Sequence, residues 1–135
     1  MAVVFETKKD LERELSVMEY LADVIESKNG KRPKFEKLDK FDLDFKMDNG
    51  YYVEIKCYNS KSTDFKTQII SLNKVSKMQK KRKCLLVLSY TDCVLVSKVC
   101  QLSGEMRYGG RELREGSVND RELLIYLDKS NFRKI

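Results

Sequence analysis

Acidic and basic side chains alternate with apolar ones on both sides of a short turn near the middle of the chain. Asp42 and Asp44 precede the turn Asp48-Asn49-Gly50, and Glu54 and Lys56 follow it. Alternation around such a turn predicts a β-hairpin. If the glycine takes the left-handed position of a three-residue loop, Asp44 lies opposite Glu54 and Asp42 lies opposite Lys56. The four charged side chains then share one face. The apolar residues fall on the other face: Phe41, Leu43, Phe45, Val53, Ile55 and Cys57.

Opposed carboxylates on such a hairpin favour a hard cation between them. Their Cβ atoms would be about 5 Å apart, and two carboxylates at that distance repel unless a proton or cation lies between them. The chain has no histidine, which excludes serine–histidine and cysteine–histidine catalysis and histidine-ligated zinc. Oxygen ligands suit Mg²⁺ or Mn²⁺. Lys56 beside that ion would orient or help deprotonate a water, or balance the charge of a phosphate.

A predicted helix over residues 7–26, ended by Asn29-Gly30, carries a further acidic candidate. Glu14 falls inside the apolar arc of this helix and should point towards the core. A buried carboxylate needs a partner. A metal held by Asp44 and Glu54 would supply one, and a glutamate that reaches solvent or a helix cap is the alternative. The apolar arc contains Leu11, Leu15, Met18, Leu21, Ala22 and Ile25.

The remaining elements predict a mixed sheet flanked by helices. Residues 31–40 have the composition of a charged connector, and residues 104–120 that of a long loop. The other predicted elements are a helix over 67–81 and strands over 84–88, 94–96 and 123–127. The order αββαββ…β gives an α/β fold.

Composition limits the class of protein. The chain has 135 residues, 41% of them hydrophobic, which is typical of one globular domain. No apolar run approaches the roughly 20 residues of a membrane span, and no leader opens the sequence. We therefore expect a soluble intracellular protein with reduced cysteines. The net charge of +6 favours a polyanionic partner.

The combination of these motifs resembles the PD-(D/E)XK nuclease superfamily, and in particular its small phage-encoded members. The matching segments are Asp42-Leu43-Asp44-Phe45, Glu54-Ile55-Lys56, the helix with Glu14, Phe65 through Ser71-Leu72-Asn73-Lys74, and Gly109-Gly110-Arg111…Arg114…Asp120. The resemblance spans roughly residues 5–132. It implies one restriction-endonuclease-like domain over residues 1–135, with an αβββαβ core.

The resemblance also assigns roles to residues. Asp44, Glu54 and Glu14 would bind a divalent metal, and Lys56 would lie at the attacking water. No proline precedes either aspartate, so Asp42 stays an alternative ligand. We favour Asp44 because Leu-Asp-aromatic fits the phage-type pattern and because it faces Glu54.

Basic residues further along the chain are candidates for nucleic-acid contacts. The resemblance implies that Lys74 and Gln68 reach the scissile phosphate from the second helix. The run that contains Lys77, Lys81 and Arg82 is either a solvated helix end or a track for phosphates. Beyond the paired glycines at 109 and 110, the candidates for a phosphate-contacting loop are Arg111 and Arg114.

The leading prediction is a Mg²⁺- or Mn²⁺-dependent DNA endonuclease, phage-encoded and active in the host cytoplasm, of the junction-resolving, nicking or homing type. We expect no small-molecule cofactor and no membrane partner. A homodimer would allow paired cuts. The alternative is a catalytically silent nucleic-acid-binding module that keeps the fold. A third hypothesis is an interaction protein whose outward acidic hairpin docks a basic partner.

Overall fold

Two α-helices, nine strands and two short 3₁₀ helices (Val99–Gln101 and Lys129–Asn131) are formed by the residues that the structure describes. The structure is a computed structural model, and it describes residues 8–39, 43–110 and 121–135. The elements in chain order are α1 (Lys8–Asn29), β1 (Phe35–Lys37), β2 (Phe45–Met47), β3 (Tyr52–Cys57), β4 (Thr67–Ser71), α2 (Leu72–Gln79), β5 (Cys84–Ser89), β6 (Val94–Lys98), β7 (Gly104–Gly110), β8 (Arg121–Asp128) and β9 (Arg133–Lys134). Within these ranges, no helix has the length and apolar character needed to span a membrane.

A mixed six-stranded sheet forms the centre of the fold, in the order β1-β2-β3-β5-β6-β9. Strands β3 and β5 are parallel, and the other described neighbours are antiparallel. Strand β5 contributes side chains to cores on both faces, which explains its continuous apolar run. This α/β architecture, a mixed sheet flanked by two helices, confirms the predicted fold class.

Each helix covers its own face of this sheet. The α1-side core consists of Met18, Leu21, Phe45, Met47, Val53, Ile55 and Val87. The α2-side core consists of Leu43, Ile70, Val75, Met78, Cys84, Leu86, Leu88, Tyr90, Leu95, Val99 and Leu127. A second, antiparallel sheet of order β4-β8-β7 joins the α2-side core through Ile70 and Leu127.

The hairpin register is the one that the sequence predicts. Phe45 pairs with Val53, and the amide of Met47 donates to the carbonyl of Tyr51 at 2.9 Å. Gly50 has φ = +90° and its amide donates to the carbonyl of Met47 at 3.0 Å, which closes the loop. Leu43 was assigned to the wrong face. Strand β2 begins only at Phe45, so Leu43 leaves the alternation and packs in the α2-side core.

Three segments form strands where the sequence predicts other structure. Residues 35–37 of the predicted connector form the short edge strand β1, whose charged residues are typical of a sheet edge. The predicted second helix begins only at Leu72, because residues 67–71 pair with β8 instead. Residues 104–110 of the predicted loop pair with β8 as strand β7. Residues 40–42 and 111–120 lie outside the described part of the chain.

The turn glycine gives a test of this register. We expect Gly50→Ala to lower the free energy of unfolding by about 1–2 kcal/mol, because an L side chain is strained at this positive φ. Steric crowding contributes nothing to this cost, since a Cβ atom at Gly50 would meet only the Lys83 side chain, at 3.9 Å. Gly50→Asn should cost less, because asparagine tolerates the left-handed region. Urea unfolding measures both variants, and equal stability of Gly50→Ala and wild type would contradict the register.

Candidate active site

Asp44 is held by the main chain immediately before β2. Its carboxylate Oδ2 accepts the amide hydrogen of Ile55 at 2.7 Å, and its own carbonyl accepts the amide hydrogen of Leu38 at 3.1 Å. The residue is only 6% exposed. The bend of the chain at this point therefore aims the carboxylate at β3. Its second oxygen, Oδ1, remains for a charged partner.

Glu54 lies in the middle of β3 and is only 2% exposed. Its Oε1 is 3.2 Å from the Nζ of Lys74. Its Oε2 is also buried, and it makes no hydrogen bond in the described part of the chain. Burial and then the neighbouring Asp44 carboxylate raise the pKa of Glu54 to about 8, against the opposing effect of Lys74 and Lys56. The surroundings of Glu54 therefore favour its protonated form more than water does.

Glu14 approaches the pair of carboxylates from α1, as the position of this residue in the apolar arc predicts. The Nζ of Lys37 lies 3.5 Å from Glu14 Oε2 and 3.4 Å from Asp44 Oδ1. One ammonium group therefore bridges Glu14 and Asp44. Sequence analysis missed Lys37 because it placed this residue in a connector. The charged composition of residues 35–37 gives no strand signal, and only the pairing of β1 with β2 in the structure sets Lys37 opposite Phe45, next to Asp44.

A groove of about 520 Å³ is lined in part by Lys74, the lysine that is paired with Glu54. Lys56, Lys74 and Lys77 contribute to its lining, together with Tyr58 and Asn73. Lys56 follows Glu54 by two residues on the same strand, so both side chains point to the same face of the sheet. The groove can accept an extended anionic group next to the buried carboxylates.

Residues 2–135 match the model of a family described as "Phage putative PDDEXK endonuclease". The chain belongs to this family. No curated protein and no solved structure matches the chain. The resemblance seen in the hairpin and the first helix is thereby confirmed.

The other predicted site residues of this PDDEXK family member lie in different surroundings. Gln68 is on β4 rather than on the second helix, and its Oε1 accepts the hydroxyl hydrogen of Tyr90 at 2.6 Å, so it is engaged in packing. Lys81 lies over the Tyr52 ring at 4.6 Å, and Arg82 is exposed. Asp42, Arg111 and Arg114 lie outside the described residues.

The charged hairpin face is largely buried. With Asp44 and Glu54 both buried, the outward acidic surface that the interaction-protein hypothesis requires is absent from the described part of the hairpin. Across residues 8–39, 43–110 and 121–135, no three acidic or thiol side chains form a group that could hold a metal ion. Asp44 and Glu54 form a pair, and Lys37 lies between Asp44 and Glu14.

This pair of carboxylates fits a divalent cation. Mg²⁺ is commonly held by one or two carboxylates and keeps several waters, so two protein ligands are sufficient. The buried Oε2 of Glu54 has no hydrogen-bond donor in the described structure, and a cation would supply its missing partner. Glu14 stays a predicted third ligand.

The raised pKa of Glu54 predicts how stability depends on pH. Between about pH 4.5 and 8 the folded state holds a proton on Glu54 that the unfolded state releases, so raising the pH through this window destabilises the fold. We expect a loss of roughly 2–4 kcal/mol across the window, measured by urea unfolding in the presence of a chelator. Glu54→Gln should remove this loss, whereas Glu19→Gln on exposed α1 surface should retain it. Identical pH dependence of wild type and Glu54→Gln would contradict the assignment.

Proposed function

We propose that this chain is a divalent-metal-dependent endonuclease that hydrolyses phosphodiester bonds of DNA, with residues 1–135 acting as one nuclease domain. The observation that carries the proposal is the buried Asp44–Glu54 pair, of which Glu54 contacts Lys74, a residue that lines the lysine-rich groove. Membership of a phage endonuclease family supports the reaction class, and the net charge of +6 supports a polyanionic substrate.

Asp44 and Glu54 are the residues that would hold Mg²⁺ or Mn²⁺. Asp44 would bind the ion through Oδ1, because Oδ2 accepts the Ile55 amide, and Glu54 would bind it through Oε2, because Oε1 is paired with Lys74. When bound, such an ion supplies Lewis acidity and lowers the pKa of a coordinated water. Glu14 and Asp42 stay candidate ligands.

Two lysines complete the proposed chemistry. Lys56 shares the sheet face of Glu54 and lines the groove, where its ammonium group can orient the attacking water and stabilise charge on the phosphate. Lys74 is paired with Glu54 at 3.2 Å, which favours the charged form of this carboxylate. The low exposure of Glu54 strengthens each of these interactions relative to bulk water.

A row of lysines on and just after α2 would bind the substrate strand as it leaves the proposed site. Lys74 and Lys77 are one helical turn apart on α2, and Lys81 lies two residues beyond the end of this helix. Lys74 contacts Glu54, Lys77 lines the groove, and Lys81 lies over Tyr52. These three lysines, which we name the α2 lysine row, would track the phosphates of one strand away from the scissile bond. From the family we propose a junction-resolving, nicking or homing role in the host cytoplasm, and a homodimer would supply two such sites.

Cleavage of supercoiled plasmid tests the proposed site. With Mg²⁺ or Mn²⁺ we expect nicked or linear product, and with EDTA none. Asp44→Asn, Glu54→Gln and Lys56→Met should each lower the rate by about 100-fold or more, because each removes a charge that acts in the transition state.

The matched control is Glu19→Gln, which removes an exposed carboxylate of α1. It should cleave at the wild-type rate, and circular dichroism should show all four variants folded. Full activity of folded Glu54→Gln or Lys56→Met would refute the proposed site.

A catalytically silent nucleic-acid-binding module is the second candidate function. The observation that favours it is Lys37, whose ammonium group already lies 3.4 Å from the Asp44 oxygen that a metal would need. On this view the α2 lysine row binds phosphates without cleavage. Salt-sensitive DNA binding by wild type, without nicking in any metal, would support it.

Salt titrations test the α2 lysine row under either function. In EDTA, Lys77→Gln and Lys81→Gln should each weaken duplex binding and lower the slope of log K against log salt by about 0.9, one phosphate contact each. Lys28→Gln, at the exposed end of α1, removes the same charge and should leave the slope unchanged. Unchanged slopes in both α2 variants would mean that DNA binds elsewhere.

A further inference from the structure

Lys37 lies at the one oxygen of Asp44 that a metal ion would use. We propose that Lys37 is a tethered cation that competes with the divalent ion for Asp44, and that ion binding releases its ammonium group from this carboxylate. The inference rests on the proposed function, since it concerns the same metal site. The inference adds Lys37 to the residues of the proposed site; this residue belongs to the edge strand β1 and to neither the hairpin nor the Glu-x-Lys pattern.

The oxygens of Asp44 are divided between two partners. The Ile55 amide occupies Oδ2 at 2.7 Å, and this hydrogen bond lies within the sheet. Lys37 Nζ is 3.4 Å from Oδ1. A divalent ion at Oδ1 would meet the lysine charge at close range, and two cations at that separation repel strongly in a partly buried site. Binding of the ion therefore requires the ammonium group to move.

Glu54 provides the contrast. Lys74 Nζ is 3.2 Å from its Oε1, but Oε2 has no hydrogen-bond partner in the described structure. A metal can reach Glu54 through Oε2 without displacing Lys74. Of these two lysines, Lys37 is the one placed to oppose the metal.

The surroundings of Lys37 allow it to move. Its side chain is 36% exposed, its Nζ lies 5.1 Å from the centre of the Phe45 ring, and Glu14 offers a second carboxylate at 3.5 Å. The ammonium group can leave Asp44 for Glu14 or for solvent without becoming a buried, unpaired charge. In the metal-free protein the same group offsets the repulsion between neighbouring carboxylates.

Mn²⁺ binding measures the competition directly. Free Mn²⁺ is followed by electron paramagnetic resonance as it is titrated into wild type, Lys37→Gln and Lys34→Gln, without DNA. Lys34 is exposed and makes no ion pair in the described structure, so its variant controls for the loss of one charge. We expect Lys37→Gln to bind Mn²⁺ about tenfold more tightly than wild type. Lys34→Gln should stay within a factor of about two.

Each outcome separates this inference from the proposed function. Unchanged or weaker Mn²⁺ binding by Lys37→Gln, with wild type binding normally, overturns the role of Lys37 and leaves the metal site standing. An equal gain in Lys34→Gln also overturns it, because the effect would then be one of net charge. If neither wild type nor Glu54→Gln binds Mn²⁺, both the proposed metal site and the competition with Lys37 are refuted.

Amine labelling of wild type supplies a test that needs no variant. The protein is acetylated briefly with and without Mn²⁺, and the modified lysines are quantified by mass spectrometry. Release from Asp44 should raise the labelling rate of Lys37 by about twofold or more, whereas the rate for Lys34 should not change. Equal or slower labelling of Lys37 in saturating Mn²⁺ overturns the inference, even if Lys37→Gln does not fold.

Discussion

Two carboxyl groups buried side by side against one sheet are the constraint on which the site depends. Burial disfavours the charge of Glu54, and the neighbouring Asp44 carboxylate disfavours it further, so its pKa rises to about 8. Partners from several elements offset this cost. The Ile55 amide holds one oxygen of Asp44, while Lys37 and Lys74 each bring a positive charge. The proposed divalent cation would be a further partner for a pair that the protein compensates only in part.

The fold converts this local problem into a defined geometry. Gly50 closes the hairpin and fixes the register. Asp44 lies one residue before β2 begins, and its carboxylate turns towards β3, where it accepts the Ile55 amide. Helix α1 covers one face of the sheet and brings Glu14, whereas α2 covers the other and brings Lys74. The two cores therefore set the distance between charged groups that come from opposite sides of the sheet. Repacking either core would alter the site without touching a charged residue.

The parts of the site that follow from local pattern could be predicted, and those that depend on distant pairing could not. Alternation and the turn signal gave the register and the positions of Glu54 and Lys56, and helical periodicity gave the inward direction of Glu14. The local sequence of β4 predicts a helix. It forms a strand because it pairs with β8, which lies far along the chain, as the pairing of Thr67 with Asp128 shows. That pairing places Gln68 on β4 and not on the second helix. Lys37 was missed for a different reason: its edge strand pairs locally with β2 but has the charged composition of a connector, so it carried no strand signal.

Stability would favour apolar residues at positions 44 and 54, whereas the proposed chemistry requires carboxylates there. Apolar residues at Asp44 and Glu54 would suit the surrounding cores better, since replacing buried charges with apolar groups is often neutral or stabilising. The chain instead surrounds the two carboxylates with lysines that satisfy them in part, and one oxygen of Glu54 remains without a hydrogen bond in the described structure. Departures from good packing of this kind are expected where a protein binds something. The lysines that contact the two carboxylates come from different elements, Lys37 from β1 and Lys74 from α2, so the site depends on the arrangement of the whole sheet and not on the hairpin alone.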